Sequence, residues 1–200
     1  MQINDKTGNF SKEELQRLET FIRDELLSTE VELEWLRKII IRNDGRSGYG
    51  GYWDIKVYFS TEDPNEIESV IAIIVLNFYV VEILPHSQRL ERLMEILAHE
   101  YGHHWTLSYL IINQTIRDYF QDRLPEDYYT IRMLNPTEYA PDYSQEWHKC
   151  DKEVIAEDYR FLFAPSPHNN NHQMVEQHDL EPPCDTVRAY IENIPTLSPE

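Results

Sequence analysis

The sequence predicts an α+β domain, and two observations predict it: the period of the apolar residues and the length of the chain. Apolar residues recur at helical spacing near the start, alternate at period two across residues 52–59, and return to helical spacing from about residue 88. Helix, then strands, then helices is the order of a fold whose α and β parts segregate. At 200 residues the chain is the size of one domain, 1–200. A chain of this size buries roughly 70% of the surface its unfolded form exposes, so it needs no disulfide staples. Its 41% hydrophobic and 12% aromatic content supplies that core and excludes a wholly disordered chain.

The elements follow in order. Ser11-Lys12-Glu13-Glu14 is a capping box that opens a helix continued by Leu15, Leu18, Phe21, Ile22 and Leu26. Residues 31–43 carry two patterns. Val31, Leu33 and Trp35 alternate like a strand, whereas Leu36, Ile39 and Ile40 suit a helix, and residues 1–43 together count as an N-terminal helical part. Four of the six glycines fall in 45–51. The Lys-Ser/Thr that a phosphate-cradling loop needs does not follow them, so a flexible hairpin connection is expected. A sheet spans 52–84. Trp53, Ile55, Val57 and Phe59 form a half-buried strand, 60–66 a turn, 70–76 a central strand, and 78–83 a further strand or the same one after a bend. Pro85 breaks the chain, and Ser87 caps a helix over about 88–109. Residues 110–134 look helical with a break at Leu124-Pro125, and 135–149 form a polar, aromatic-rich loop. Asp151 caps a helix over 151–164 that Pro165 stops. A mobile loop and a closing helix near 185–193 complete the chain.

Composition excludes several functions. Thirty-six acidic against eighteen basic side chains leave a net charge of −18, the wrong sign for nucleic acid or an anionic membrane surface. Two cysteines, Cys150 and Cys184, are too few for a secreted disulfide framework and are expected to be free. The longest apolar run, 70–81, is interrupted by Asn77 and is too short to span a bilayer as a helix. The start carries no secretory signal pattern, which places the chain in the cytoplasm, or outside the cell if a signal has been trimmed.

Chemistry concentrates in His99-Glu100-Tyr101-Gly102-His103. Residues four apart share a helix face, so the two imidazoles can converge on one metal ion. Glu100 lies about 100° further round the helix, where it can reach a water at the metal without ligating it. On the same wheel Leu90, Leu93, Leu97, Tyr101 and Trp105 take the opposite side, so the helix is expected to bury one face and offer its histidines to a cleft. His104 turns towards the apolar side and reads as a hydrogen-bonded core histidine. A zinc site of this kind needs a third protein ligand and an open position. No histidine follows in 105–110, so the ligand comes from further along. Glu153 and Glu157 lie one turn apart on a helix, with Asp158 one position off their face. One of the pair can ligate while the other holds a histidine, or both can be part of a solvated acidic face. Cys150 could also touch a metal or pair with Cys184. His168, His172 and His178 read as solvent-exposed, with a second metal site as the alternative.

His99-Glu100-x-Gly102-His103 followed by Glu153-x-x-Ala156-Glu157-x-x-Arg160 resembles the zincin metallopeptidases of the gluzincin type. The likeness is to the catalytic domain of anthrax lethal factor and its small bacterial relatives, among them the Pro-Pro endopeptidases, over about residues 52–195. The resemblance implies a zincin-like fold, with a small mixed sheet packed on an active-site helix. It implies Zn2+ held by His99, His103 and Glu153, with Glu157 as partner to a ligand. In that family a tyrosine two helical turns before the third ligand stabilises the tetrahedral intermediate, and Glu146 stands at the matching position here. An ionised carboxylate would repel the developing charge. Tyr143 is therefore the first choice for the donor, with His148 second and Tyr139 nearby.

The expected function is zinc-dependent hydrolysis of a peptide or protein substrate, with Glu100 as general base and Tyr143 as oxyanion donor. An extended substrate is expected to add to an exposed edge of the apolar strand that precedes the active helix. The alternative is a zincin scaffold that only binds a partner, but a structural zinc has no need of a base at Glu100.

Overall fold

The computed structural model describes residues 1–46, 48–64 and 66–197. Ser47 and Asn65, which belong to the turns expected at 45–51 and 60–66, lie outside the described residues, as do 198–200. Four strands form one mixed sheet: β1 (Gln2–Asp5), β2 (Leu36–Arg42), β3 (Gly51–Phe59) and β4 (Ile67–Asn77), in the order β1-β2-β4-β3. β1 and β4 flank β2 in parallel, and β3 pairs antiparallel with β4, with Trp53 opposite Ile74 and Ile55 opposite Ala72. Mixed α and β structure around a small sheet is therefore present, as expected.

The N-terminal part is not all helical, because it supplies two of these strands. Its first helix, α1 (Lys12–Thr20), starts at the expected capping box, in which Ser11 accepts from the Glu14 backbone and Glu14 accepts from the Ser11 backbone. A second capping box, Thr29 with Glu32, opens α2 (Glu30–Trp35). The two patterns in 31–43 thus resolve the opposite way to their spacing, helix first and strand second. A register shift between Leu36 and Lys38 explains the inversion. It breaks the period of two, so that Leu36, Ile39 and Ile41 all face the core with a spacing that imitates a helix.

The glycine segment does not close a hairpin. It joins β2 to β3, which do not pair, and the antiparallel hairpin is β3–β4. Residues 78–83 leave the sheet as a short helix, α3 (Tyr79–Glu82). The buried amide of Asn77 causes the turn, bonding Asp44 N, Gly45 O, Tyr49 O and Tyr79 N.

Helix α4 (His86–Ile112) begins after Pro85 rather than at a Ser87 cap, and runs three residues beyond its expected end. It packs on β3 and β4 with one face. Leu93, Leu97, Tyr101 and Trp105 are in the core, as the helical wheel predicts. The histidine face is covered as well, by α6 (Asp151–Phe163). The two helices lie close at Gly102, where an added Cβ would lie 2.7 Å from Ala156 O and 3.0 Å from the Tyr159 Cβ. The helix expected over 110–134 is replaced by a turn and the short α5 (Glu126–Arg132); α7 (Gln173–His178) and α8 (Asp185–Asn193) follow α6.

Acidic side chains buried between these helices are held by dedicated donors. Glu32 is fully buried and accepts from Tyr101 OH at 2.9 Å and Tyr109 OH at 3.0 Å, which fastens α2 to α4. His104 is a core histidine, as expected. Its Nε2 bonds the Glu32 carbonyl at 2.8 Å, its Nδ1 accepts from Trp53 Nε1, and burial holds its pKa down at about 4. Asp151 is not a cap: Cys150 precedes the helix, and the Asp151 carboxylate binds Leu124 N, Tyr129 OH and Lys152. Asp158 is fully buried between Tyr128 OH, Arg132 Nε and His172 Nε2, each within 2.9 Å. Among the described residues no helix is long and apolar enough to cross a membrane.

Gly102→Ala should cost about 2 kcal/mol of stability, because backbone of α6 stands where the methyl must go. Urea unfolding checks it, and a loss below about 0.5 kcal/mol would show that the helices part freely. Asp158→Ala should cost about 3–5 kcal/mol by leaving Arg132 buried and unpaired. Asp158→Asn, which keeps an acceptor, should cost less; equal losses in the two variants would place the effect in packing instead.

Candidate metal centre

The crossing of α4 and α6 brings together residues as far apart in the chain as His99 and Glu153. One nitrogen or oxygen each from His99, His103 and Glu153 lie within 4.8 Å of one another. His99 Nε2 is 3.0 Å from Glu153 Oε2, and His103 Nε2 is 3.4 Å from Glu153 Oε1. The two imidazole rings stand 5.1 Å apart and almost perpendicular. Glu153 is buried, not part of a solvated face.

Glu157 supports this group from behind. Its Oε2 bonds His99 Nδ1 at 3.0 Å, which leaves Nε2 directed at Glu153. Arg160 grips both Glu157 oxygens at 2.6 and 2.9 Å, and Gln173 N adds a third donor at 3.0 Å. The other guanidinium protons of Arg160 reach the carbonyls of His168 and Asn171, so the loop expected to be mobile is tied to the site. His168 and His172 are accordingly buried, against expectation; His172 serves Asp158, and His168 lies 3.4 Å from Glu91. His178 is exposed and stacks on His148 at 3.4 Å. Asp158, although next to Glu157, turns away from the site and holds Tyr128 and Arg132 of α5 and His172 at the start of α7.

Burial penalises every charge here, and pairing decides the outcome. His99 is desolvated, yet the bonds to Glu153 and Glu157 hold its pKa up at about 10. Glu153 is desolvated too, but His103 and His99 pull it well below the usual carboxylate range. The pull on Glu157 comes from Arg160 and His99 and also outweighs burial. Glu100 differs. Burial raises it to about 7, only partly opposed by His99, His103 and a backbone hydrogen bond from Trp53.

Glu100 is positioned by a glycine. A Cβ on Gly51 would come within 2.9 Å of both Glu100 Oε1 and Val75 O, so only glycine lets the first residue of β3 cross above that carboxylate. Gly51, His99, Glu100, His103, Glu153 and Tyr143 all line one cleft of about 740 Å3. β4 is central in the sheet, so the strand along this cleft is the edge strand β3, not the one expected.

The loop before α6 separates its candidates. Tyr143 is an exposed residue whose hydroxyl donates to Glu153 Oε1; desolvation of that hydroxyl beside the carboxylate pushes the phenol up, so it stays protonated. Glu146 is exposed and pairs with His148 at 3.3 Å. Neither of these, nor Tyr139, lines the cleft. Cys150 is buried at the cleft with its thiol pushed up to about 12 by burial, Cys184 is exposed, and both are free. Trp147, which no spacing in the sequence singles out, donates Nε1–H to Glu153 Oε2 at 2.7 Å. No protein-family model, no curated protein and no solved structure matches this chain.

Proposed function

We propose that the chain is a zinc metalloendopeptidase with a zincin-like fold, hydrolysing peptide bonds in a peptide or protein substrate. One observation carries the proposal: His99, His103 and Glu153 come together in the lining of one cleft, with Glu100 lining the same cleft. The donor set fits the ion. Two imidazoles and one carboxylate suit zinc, and three protein donors facing a cleft leave a position for water or substrate. Zinc bound there supplies a Lewis acid for the scissile carbonyl and lowers the pKa of a water towards about 7.

The remaining work falls to this chain's own groups. Glu157 and Arg160 fix the tautomer and tilt of His99. Glu100 takes the proton of the attacking water and returns it to the leaving amine. Tyr143 donates its hydroxyl to the carbonyl oxygen as negative charge collects there. The edge strand β3 offers unpaired backbone groups to an extended substrate.

Metal analysis after dialysis should find about one zinc per chain. Glu100→Gln should keep the metal and lose cleavage of a peptide library, whereas His103→Ala should lose both. Retained cleavage in Glu100→Gln would refute the mechanism, and a zinc-loaded wild type that cleaves nothing would favour a binding module. Glu153→Ala should abolish tight zinc binding, while Glu157→Ala should weaken it about 10–100-fold in chelator competition. Equal affinities in those two variants would mean that the third ligand is misassigned. Tyr143→Phe should lower kcat about 100-fold with KM and zinc content little changed; an unaltered kcat would remove Tyr143 from the reaction.

A further inference from the structure

Among the described residues four donor groups surround the Glu153 carboxylate, two at each oxygen. Oε2 receives His99 Nε2 at 3.0 Å and Trp147 Nε1 at 2.7 Å. Oε1 receives Tyr143 OH and faces His103 Nε2 at 3.4 Å. The two imidazole nitrogens are the atoms that a metal would take, and a nitrogen that ligates no longer donates. A metal therefore strips Glu153 of half its donors. Of the two that remain, Tyr143 is the one the reaction needs elsewhere. Among the described residues only the indole of Trp147 is left to the carboxylate throughout.

The backbone supports this division of labour. Trp147 begins a short 3-10 turn, Trp147–Lys149, which runs directly into α6. Cys150 N bonds Trp147 O at 3.1 Å, and Ala140 pairs with the same turn through Lys149 O at 2.9 Å and Asp151 N at 3.0 Å. The stack of His148 on His178 fastens the turn to α7 from outside. Trp147 is thus anchored to the helix that carries Glu153, six residues on. Tyr143 sits instead on the loop that this bridge closes, and is more exposed than Trp147. The Trp147 ring also faces His99, with centroids 6.1 Å apart and planes tilted by 33°.

We propose that Trp147 is the positioning residue of the metal centre: its indole N–H fixes the Glu153 carboxylate for the ion and leaves Tyr143 free to turn to the substrate. The inference rests on the zinc reading of the site. A buried carboxylate that ligates through one oxygen needs a donor on the other, and one left without it swings or binds poorly.

The test is metal affinity and coordination, measured without substrate on the full chain. Wild type, Trp147→Phe and Trp147→Gln are titrated with Zn2+ against a chelator, and their Co2+ forms are compared by visible absorption. Thermal unfolding of the metal-free proteins separates positioning from folding. Trp147→Phe keeps an aromatic ring and removes the donor; it should bind zinc about 10-fold more weakly and shift the Co2+ band, with metal-free melting unchanged. Trp147→Gln restores an N–H and should recover most of the affinity and the wild-type band. Equal zinc affinity and an unshifted band in Trp147→Phe would overturn the proposal while leaving the zinc site intact. An affinity that falls only in step with metal-free stability would overturn it too. A wild-type chain that binds no zinc at all would overturn the zinc reading and this inference with it.

Discussion

The architecture depends on how closely α6 can lie on α4. The absence of a side chain at Gly102 allows the backbone of α6 to approach at Ala156, which stands between Glu153 and Glu157. With that contact the two carboxylates meet His99 and His103 at hydrogen-bond distance. A few tenths of an ångström of separation would be felt at each of these bonds, because their strength falls steeply with distance and angle. The glycine between the two histidines is therefore a packing residue whose effect is read out at the site. Gly51 acts similarly from the opposite wall, where the strand passes close over Glu100.

Close packing forces the second constraint. Every residue from Asp151 to Arg160 is buried, and more than half of them carry charge. Such a helix is tolerable only because each acid has a dedicated donor: Lys152 and Tyr129 for Asp151, Arg160 and His99 for Glu157, Arg132, Tyr128 and His172 for Asp158. Lys152 and Arg160 belong to α6 itself, but the other donors come from α5, from the start of α7 and from α4, so polar contacts as well as apolar ones hold the helix to its neighbours. Unpairing any of them leaves a buried charge, which ties the placement of the candidate ligands to the integrity of the surrounding fold.

What is legible in the sequence is local. The i, i+4 pair His99 and His103 and the Glu153–Glu157 pair each announce a helix face, and both faces meet in the structure. The Ser11 capping box and the alternation through Trp53 and Ile55 are equally local and equally readable. What escapes is non-local. β1 is four residues long and exists because it lies beside Ile39 to Ile41 of β2, a pairing no short window contains. The bulge at Leu36 disguises β2 as helix. The burial of His168 and His172 follows from Arg160 and Asp158 reaching out to a segment whose composition reads as loop. Trp147 carries no signal, because a tryptophan six residues before a glutamate has no spacing that implies contact until the 3-10 turn brings them together.

The crowding of donors on Glu153 also bears on how the protein meets a changing supply of metal. Many small zinc domains are unfolded without their ion, because the ion is the core that holds the ligands together. Here imidazole, phenol and indole groups already hydrogen-bond the carboxylate, and the ligands are seated on helices that a hydrophobic core keeps in register. On the metallopeptidase reading, scarcity of zinc would empty the site without emptying the fold. The metal-free chain would then be a folded reservoir, with its ligands already in place for a cation.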